Sequence, residues 1–219
     1  MTPVVLHGLQ SLLERLYDLK SDHDIYDYLV TDPGALARFA PENDKRELDE
    51  KLLLAESADG AGVALYLDEA LLERLEQANP VGALNEENLA DYCTALEGVS
   101  HFVYSTWRLS ADLPVSLLEL ETQAEVDKYA ATVFLLGEQG GRYPEHVHAR
   151  LFDRVRFDAR LEHSQFERYH TAHALAAQFC RRLERRFVTR GVARVEALVR
   201  ELRKFYRLGN REKLRYALA

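Results

Sequence analysis

The chain has 219 residues, with 36 acidic and 28 basic side chains and a formal net charge of −8 at pH 7. Hydrophobic residues make up 47% and charged residues 29%, which excludes a disordered or collagen-like protein and allows a sizeable core. No apolar run approaches the roughly 20 residues of a membrane helix, and the N-terminus lacks the pattern of a signal peptide. The only cysteines, Cys93 and Cys180, lie far apart in helical patterns. This excludes a disulfide scaffold or zinc ribbon and favours a reduced, cytoplasmic setting without membrane contact.

The first 40 residues predict three short helices. Residues 5–16 carry leucines at three- and four-residue spacing, which indicates an amphipathic helix. Ser21 and Asp24 fit a capping box before a short helix that ends near Asp32. Pro33 suits the first turn of another helix, which we expect to run through residue 40.

Residues 51–67 predict a β-hairpin, because two short apolar runs flank the turn sequence Asp59-Gly60. The alternative is that residues 48–56 form the end of a helix. A hairpin is unstable alone, so we expect it to lie on helices. A helix should follow from Asp68 to Gln77 and stop before Asn79-Pro80.

From Asn85 onward the pattern is helical almost throughout, with helices of bundle length. The predicted helices cover residues 85–107, 116–136, 144–161, 164–189 and 192–207. Capping boxes at Ser116 and Ser164 supply two starts, and Gly140-Gly141 and Gly191 supply ends. The sequence therefore predicts a mainly α protein, more than half helical and without a sheet of four strands. Residues 85–219 form a helical bundle, and residues 1–84 form a smaller N-terminal part that contains the β-hairpin and packs on it.

Charge is divided unevenly along the chain. Residues 1–149 hold 28 acidic and 10 basic side chains, whereas residues 150–219 hold 8 acidic and 18 basic ones, of which 16 are arginine. Arginine suits bidentate pairing with carboxylate or phosphate. The densest group comprises Arg181, Arg182, Arg185, Arg186, Arg190 and Arg194.

Three interpretations of these arginines compete. They pack against acidic residues of the same fold, they meet a protein partner or a second copy, or they bind phosphate or nucleic acid. Glu184 lies inside the group and the whole chain is acidic, which disfavours nucleic acid. We therefore expect Arg181, Arg182, Arg185 and Arg186 to meet carboxylates.

The stretch of residues 89–107 is apolar nearly all round, which predicts a helix at the centre of the bundle. Glu97 is the only fully charged side chain between Asp91 and Arg108. A buried carboxylate needs a partner, and His101 lies one turn later on the same face. We expect both side chains to be largely buried and close together.

Other carboxylates and imidazoles recur on the later helices, and such groups are what a non-haem iron or manganese site requires. The candidate metal ligands are Glu97, His101, Glu121, Glu125, His170 and His173. The signal is not specific, because neither a repeated Glu-x-x-His nor a His-Glu-x-x-His motif occurs. The alternative is an internal hydrogen bond between Glu97 and His101.

Common catalytic motifs are absent: the sequence has no phosphate-binding P-loop, no dinucleotide-binding glycine pattern and no Gly-x-Ser-x-Gly. Arg168 and His173 match the Arg-x4-His spacing of a class of helical ribonucleases, but about two such pairs at spacings of four to six are expected by chance in a chain of this composition. On this negative ground we expect a cytoplasmic interaction protein with a protein partner or a second copy, and favour no cofactor. The alternatives are a metal-dependent helical-bundle enzyme and an RNA- or phosphate-binding protein that uses the arginines.

Overall fold

The computed structural model describes residues 4–34, 49–57, 60–141, 143, 146–153, 155, 157–189 and 192–218. Helices make up 70% of the structure, which confirms the predicted mainly α fold. The eight described helices are α1 (Val4–Tyr17), α2 (Glu69–Gln77), α3 (Leu89–Ser110), α4 (Leu117–Gly140), α5 (Val147–Phe152), α6 (His163–Phe187), α7 (Val195–Arg207) and α8 (Asn210–Leu218).

A small sheet in the N-terminal part contains the predicted β-hairpin. Its strands are β1 (Leu29–Val30), β2 (Glu50–Ser57) and β3 (Gly60–Leu67), in the order β1-β3-β2. β3 pairs antiparallel with β2 and parallel with β1, so the hairpin prediction is confirmed. Between α6 and α7, β4 (Val188–Thr189) and β5 (Val192–Ala193) form a second, two-residue pairing. The largest sheet among the described residues thus has three strands.

The N-terminal helices differ from the prediction after α1. The helix expected after Ser21 is a single 3-10 turn, Ile25–Tyr28, and the chain then enters β1. Its cap is Asp24, whose carboxylate accepts from the Tyr26 N–H at 3.0 Å. The Ser21 hydroxyl instead accepts from the His23 N–H, so the predicted capping box was wrong. The helix predicted from Pro33 through residue 40 lies largely outside the described residues.

Five bundle helices were predicted after Asn85, whereas the described residues contain six, the additional one being α8; the predicted ends also differ. Helix α3 begins four residues after Asn85, because the Asn85 side chain accepts from two backbone N–H groups and holds a turn before the helix. Ser116 caps α4 as predicted, and Gly141 ends it with a left-handed φ of 64°.

The region after α4 departs more from the prediction. The single helix predicted over residues 144–161 was wrong, since Val147–Phe152 is the only helical segment among the described residues of this range. Asp158 accepts from the Arg160 N–H and pairs with its guanidinium, a local contact that competes with helix formation. Helix α6 opens with a box of Glu162 and Gln165, two residues before the predicted Ser164 box.

Helix α4 lies at the centre and is buried on nearly all sides, packed between α3 and α6. Apolar residues of α1 and α2 belong to the same hydrophobic cluster as those of α3, α4 and α6. Because α4 has no solvent face of its own, its polar side chains must find partners on the neighbouring helices.

One buried polar network uses Gln123 and Asp127 on one face of α4. Asp127 accepts from Ser100 at 2.6 Å and from Gln123 at 2.7 Å, and Tyr17 of α1 donates to it as well. Lys213 of α8 donates to the Gln123 oxygen at 2.7 Å. Burial raises the pKa of Asp127 to about 6 and lowers the pKa of Lys213 to about 7. The network therefore joins α1, α3, α4 and α8.

Gly98 allows the hairpin to approach α3. A methyl group built at Gly98 would lie 2.8 Å from the Glu50 side chain and 2.9 Å from that of Leu65. This close approach brings Glu50 of β2 beside the middle of α3 and onto the face that carries His101.

We expect Gly98→Ala to destabilise the fold by about 1 kcal/mol or more. Overpacking costs about 1–3 kcal/mol and outweighs the roughly 0.5–1 kcal/mol that alanine contributes to a helix. Urea denaturation measures the change. Gly140→Ala, also in a helix but with open space around it, is the control and should be neutral or slightly stabilising. Equal stability of the two variants would contradict the close approach.

We expect the wild-type protein to gain stability relative to Lys213→Met as pH rises from 7 toward 10. The pKa of Lys213 is lowered in the folded state, so the unfolded chain binds more protons in this window and stability rises with pH. The slope is at most about 1.4 kcal/mol per pH unit. Urea titrations of both proteins at pH 7 and 9 test this, and an identical pH dependence would contradict the lowered pKa.

Candidate metal centre

Three side chains from the two central helices converge at one point. Glu97 and His101 of α3 and Glu121 of α4 each offer one metal-ligating atom, and these atoms lie within 4.8 Å of one another. The four-residue spacing of the first two puts them on one face of α3, toward α4. His101 and Glu121 are buried, whereas the side chain of Glu97 is 29% exposed and connects the cluster with solvent.

His101 is held by the hairpin. Its Nδ1 lies 3.3 Å from Oε1 of Glu50, and its side chain is only 9% exposed. Its other nitrogen, Nε2, is buried and has no hydrogen-bond partner within the described part of the chain. The nearest acceptor is Oε2 of Glu121, at 3.5 Å. The ring is therefore oriented by one carboxylate and points its unpartnered nitrogen toward two others.

The carboxylates favour a cation at His101. Although burial acts in the opposite direction, contacts with Glu121 and Glu50 raise the pKa of the His101 imidazole well above its usual range. Burial raises the pKa of the Glu50 carboxyl. The geometry thus admits a positive charge next to Nε2, either as a proton on the ring or as a bound metal ion.

Two basic side chains flank the cluster. Lys128 of α4 donates to Oε2 of Glu97 at 2.9 Å and also pairs with Glu125. Arg168 of α6 places Nε 3.6 Å from Oε1 of Glu121, on the side away from His101. Each of these two carboxylates thus has one basic side chain as an ion-pair partner.

Glu125 and His173 form an adjoining pair. Nδ1 of His173 lies 2.9 Å from Oε2 of Glu125, and Nε2 lies 3.2 Å from the carbonyl oxygen of Phe152. Despite the burial of its side chain, Glu125 has its pKa lowered to about 2 by Lys128 and His173. Because both nitrogens of His173 are engaged, neither is free for the acid–base role of the ribonuclease spacing.

The formal charges of this region leave a deficit of two. Four carboxylates, from Glu50, Glu97, Glu121 and Glu125, face the two permanent cations of Lys128 and Arg168. A proton on Glu50, whose pKa is raised by burial, a proton on His101, or a divalent metal ion would each reduce this deficit.

The six ligands predicted from the sequence fall into three groups. Glu97, His101 and Glu121 come together, and Glu125 and His173 pair with each other beside them. His170 lies apart on the exposed face of α6, where its ring stacks on Phe166. The hydrogen bond expected between Glu97 and His101 is replaced by two others, Glu97 with Lys128 and His101 with Glu50.

Sequence reasoning missed Glu50, Lys128 and Arg168. Lys128 could have been found, because it follows Glu125 at the three-residue spacing of a helical ion pair. Glu50 lies on a strand far from α3 in sequence, and no spacing rule connects the two.

The arginines of α6 differ in their partners. Arg182 donates to the carbonyl oxygens of Tyr216 and Ala217 at the end of α8, and Arg181 reaches Asp153 at 3.5 Å. Arg185 and Arg186 are exposed, with no carboxylate partner among the described residues. Of the four arginines expected to meet carboxylates, only Arg181 does so among the described residues.

The remaining two arginines of the group lie elsewhere. Arg190 is outside the described residues, and Arg194 is exposed where α7 begins.

Neither free cysteine is poised for reaction, since burial raises the pKa of Cys93 to about 11 and that of Cys180 well above its usual value. None of the helices in the described ranges is long and apolar enough to cross a membrane. No protein-family model, curated protein or solved structure matches the chain, so the site is argued from its geometry alone.

Proposed function

We propose that the protein binds one divalent metal ion, iron or manganese, at Glu97, His101 and Glu121, and that it is a metal-dependent enzyme. The observation that carries the proposal is Nε2 of His101, which is buried, makes no hydrogen bond to the described residues and lies 3.5 Å from Oε2 of Glu121, in a cluster that also holds the Glu97 carboxylate. A buried ring nitrogen without a partner is rare in proteins, and a metal ion would satisfy it.

The contact between Glu50 and His101 supports this function. Histidines that ligate metals usually donate their other N–H to a carboxylate, which fixes the tautomer and orients the ring. Glu50 lies at Nδ1 in this manner, so the neutral ring would carry its proton there and direct the Nε2 lone pair at the metal position.

The donor set determines the choice of metal. One imidazole with two carboxylates is harder than the sulfur-rich sets that select zinc or copper, and it suits iron(II) or manganese(II). It differs from the facial triad of non-haem iron oxygenases, which has two histidines and one carboxylate. A three-residue set leaves coordination positions for water or substrate, and the exposed side of Glu97 gives them access.

The metal would act as a Lewis acid or lower the pKa of a bound water. Lys128 and Arg168 pair with Glu97 and Glu121 beside it, and Lys128 also pairs with Glu125.

The interaction protein expected from the sequence stays a prediction, as does its cytoplasmic setting. The interaction role is supported by the uneven distribution of charge along the sequence, and the cytoplasmic setting by the two free thiols, which fit a reducing compartment.

We expect purified protein to bind about one equivalent of Mn²⁺ and His101→Ala to bind at least 100-fold more weakly. The reason is that the variant removes the only nitrogen ligand of the three. Calorimetric titration of metal-free protein with Mn²⁺ and Fe²⁺, the latter without oxygen, measures both affinities. The control is His170→Ala, which removes an exposed imidazole outside the cluster and should leave affinity unchanged.

The affinity for Mn²⁺ should also increase with pH. Because the pKa of His101 is raised, a proton competes with the metal for the ring up to a pH above the usual titration range of histidine. The metal proposal fails if no stoichiometric binding occurs at pH 8, or if His101→Ala and His170→Ala weaken binding equally.

We expect Glu50→Gln to weaken Mn²⁺ binding by about 10- to 100-fold while all three ligands remain, which is the usual effect of removing a carboxylate behind a metal-bound histidine. Glutamine preserves the size of the side chain, so the hairpin should still pack. Thermal unfolding without metal verifies folding. Unchanged affinity in a folded Glu50→Gln protein would show that Glu50 does not orient His101.

A further inference from the structure

The solvent face of α6 carries a shallow groove formed almost entirely by arginines. It has a volume of about 430 Å³ and is lined by Gln178, Arg181, Arg182, Arg185 and Arg186. These residues recur at three- and four-residue spacing and therefore form one stripe along two turns of the helix. The groove lies on the face opposite the buried residues of α6, away from the candidate metal centre.

Among the described residues, no carboxylate lines this groove. Glu184, which the sequence places among the arginines, turns away and accepts from the backbone N–H of His148 at 2.9 Å. Asp153 reaches only Arg181, at 3.5 Å between two half-exposed side chains. The acidic character of the whole chain is thus not present at this surface, which is locally positive.

Arg182 is held in position at the edge of the groove. Its guanidinium donates to two carbonyl oxygens at the end of α8 and lies 5.3 Å from the ring centre of Phe179. Arg185 and Arg186 extend beside it without an ion-pair partner in the described ranges. A fixed guanidinium next to two unpaired ones favours a ligand with several phosphate groups.

An aromatic platform lies on the exposed surface of α6 nearer its start, about 60° around the helix from Arg181 and about 100° from Arg185. The rings of Phe166 and His170 stack with centres 5.7 Å apart and planes 23° apart. Phe166 is 41% exposed, and Phe157 supports it edge-on. Fifteen residues separate Phe166 from Arg181, which corresponds to about 22 Å along a helix.

We propose that the exposed surface of α6 binds single-stranded nucleic acid along an oblique path, with phosphates on the arginine groove and a base stacked on Phe166. The combination favours a nucleic acid over an acidic peptide, since a peptide carboxylate would use the guanidinium groups but not the aromatic platform. A single strand is favoured over a duplex because its bases can leave the stack and reach an aromatic ring. The inference uses no residue of the proposed metal site, so either can fail without the other.

The test measures binding of a labelled 12-nucleotide oligouridylate by fluorescence anisotropy at several salt concentrations. The double variant Arg181→Ala/Arg185→Ala should bind at least tenfold more weakly, and the salt slope should fall by about 1.4 for two lost phosphate contacts. Phe166→Ala should bind at least fivefold more weakly, because a stacked base is lost.

The matched control is Arg200→Ala/Arg211→Ala, which removes two exposed arginines outside the groove and should change affinity less than threefold. Equal losses in the two double variants would overturn the groove as the site. The proposal is also overturned if oligouridylate does not bind at 100 μM protein in 50 mM salt. Binding of polyglutamate or free triphosphate as tight as that of the oligonucleotide would likewise overturn it, in favour of a general anion site.

Discussion

The arrangement around the centre of this protein depends on the contact between Glu50 and His101. It joins a strand of the small sheet to the middle of a bundle helix, and it decides which nitrogen of His101 faces inward. Gly98 makes the contact possible, because any side chain there would collide with Glu50. The N-terminal sheet therefore orients a residue in the bundle that no bundle helix orients.

Helix α4 carries buried polar and charged side chains on two opposite faces. One face carries Gln123 and Asp127, which meet Tyr17, Ser100 and Lys213. The opposite face carries Glu121, Glu125 and Lys128, which belong to the candidate metal centre. In both networks each carboxylate has hydrogen-bond or ion-pair partners from neighbouring helices, so desolvation is offset locally.

The two networks differ in one respect that bears on function. In the Asp127 network, one carboxylate accepts hydrogen bonds from three side chains, those of Tyr17, Ser100 and Gln123. The Glu97 cluster has four carboxylates for two permanent cations and an imidazole nitrogen without a partner. An excess of ligating groups beside an unsatisfied donor atom is typical of a binding site and atypical of a purely structural core.

Much of the fold could be predicted from the sequence, because the periodicity of α1 and α3 and the cap at Ser116 are local signals. The hairpin could be predicted for the same reason. Helix ends were less predictable where side chains such as Asn85 and Asp158 compete for backbone groups, since that competition is decided by tertiary contacts.

The candidate site could be predicted only in part. Glu97 and His101 stand out as polar residues in an apolar helix, and Glu121 follows on the next helix. The role of Glu50 depends on a strand packing across α3 at Gly98, a contact between residues about 50 positions apart that no periodicity encodes. Likewise, the direction in which Glu184 points could be known only from the packing of α5 on α6.

The most direct test of the metal site is a crystal structure of the protein grown with Mn²⁺ and measured for anomalous scattering. The account predicts one anomalous peak about 2 Å from Nε2 of His101 and from carboxylate oxygens of Glu97 and Glu121, with Glu50 still at Nδ1. A structure with no peak at this position, in which Nε2 donates directly to Glu121, would contradict it and leave the cluster as a proton-balanced structural network.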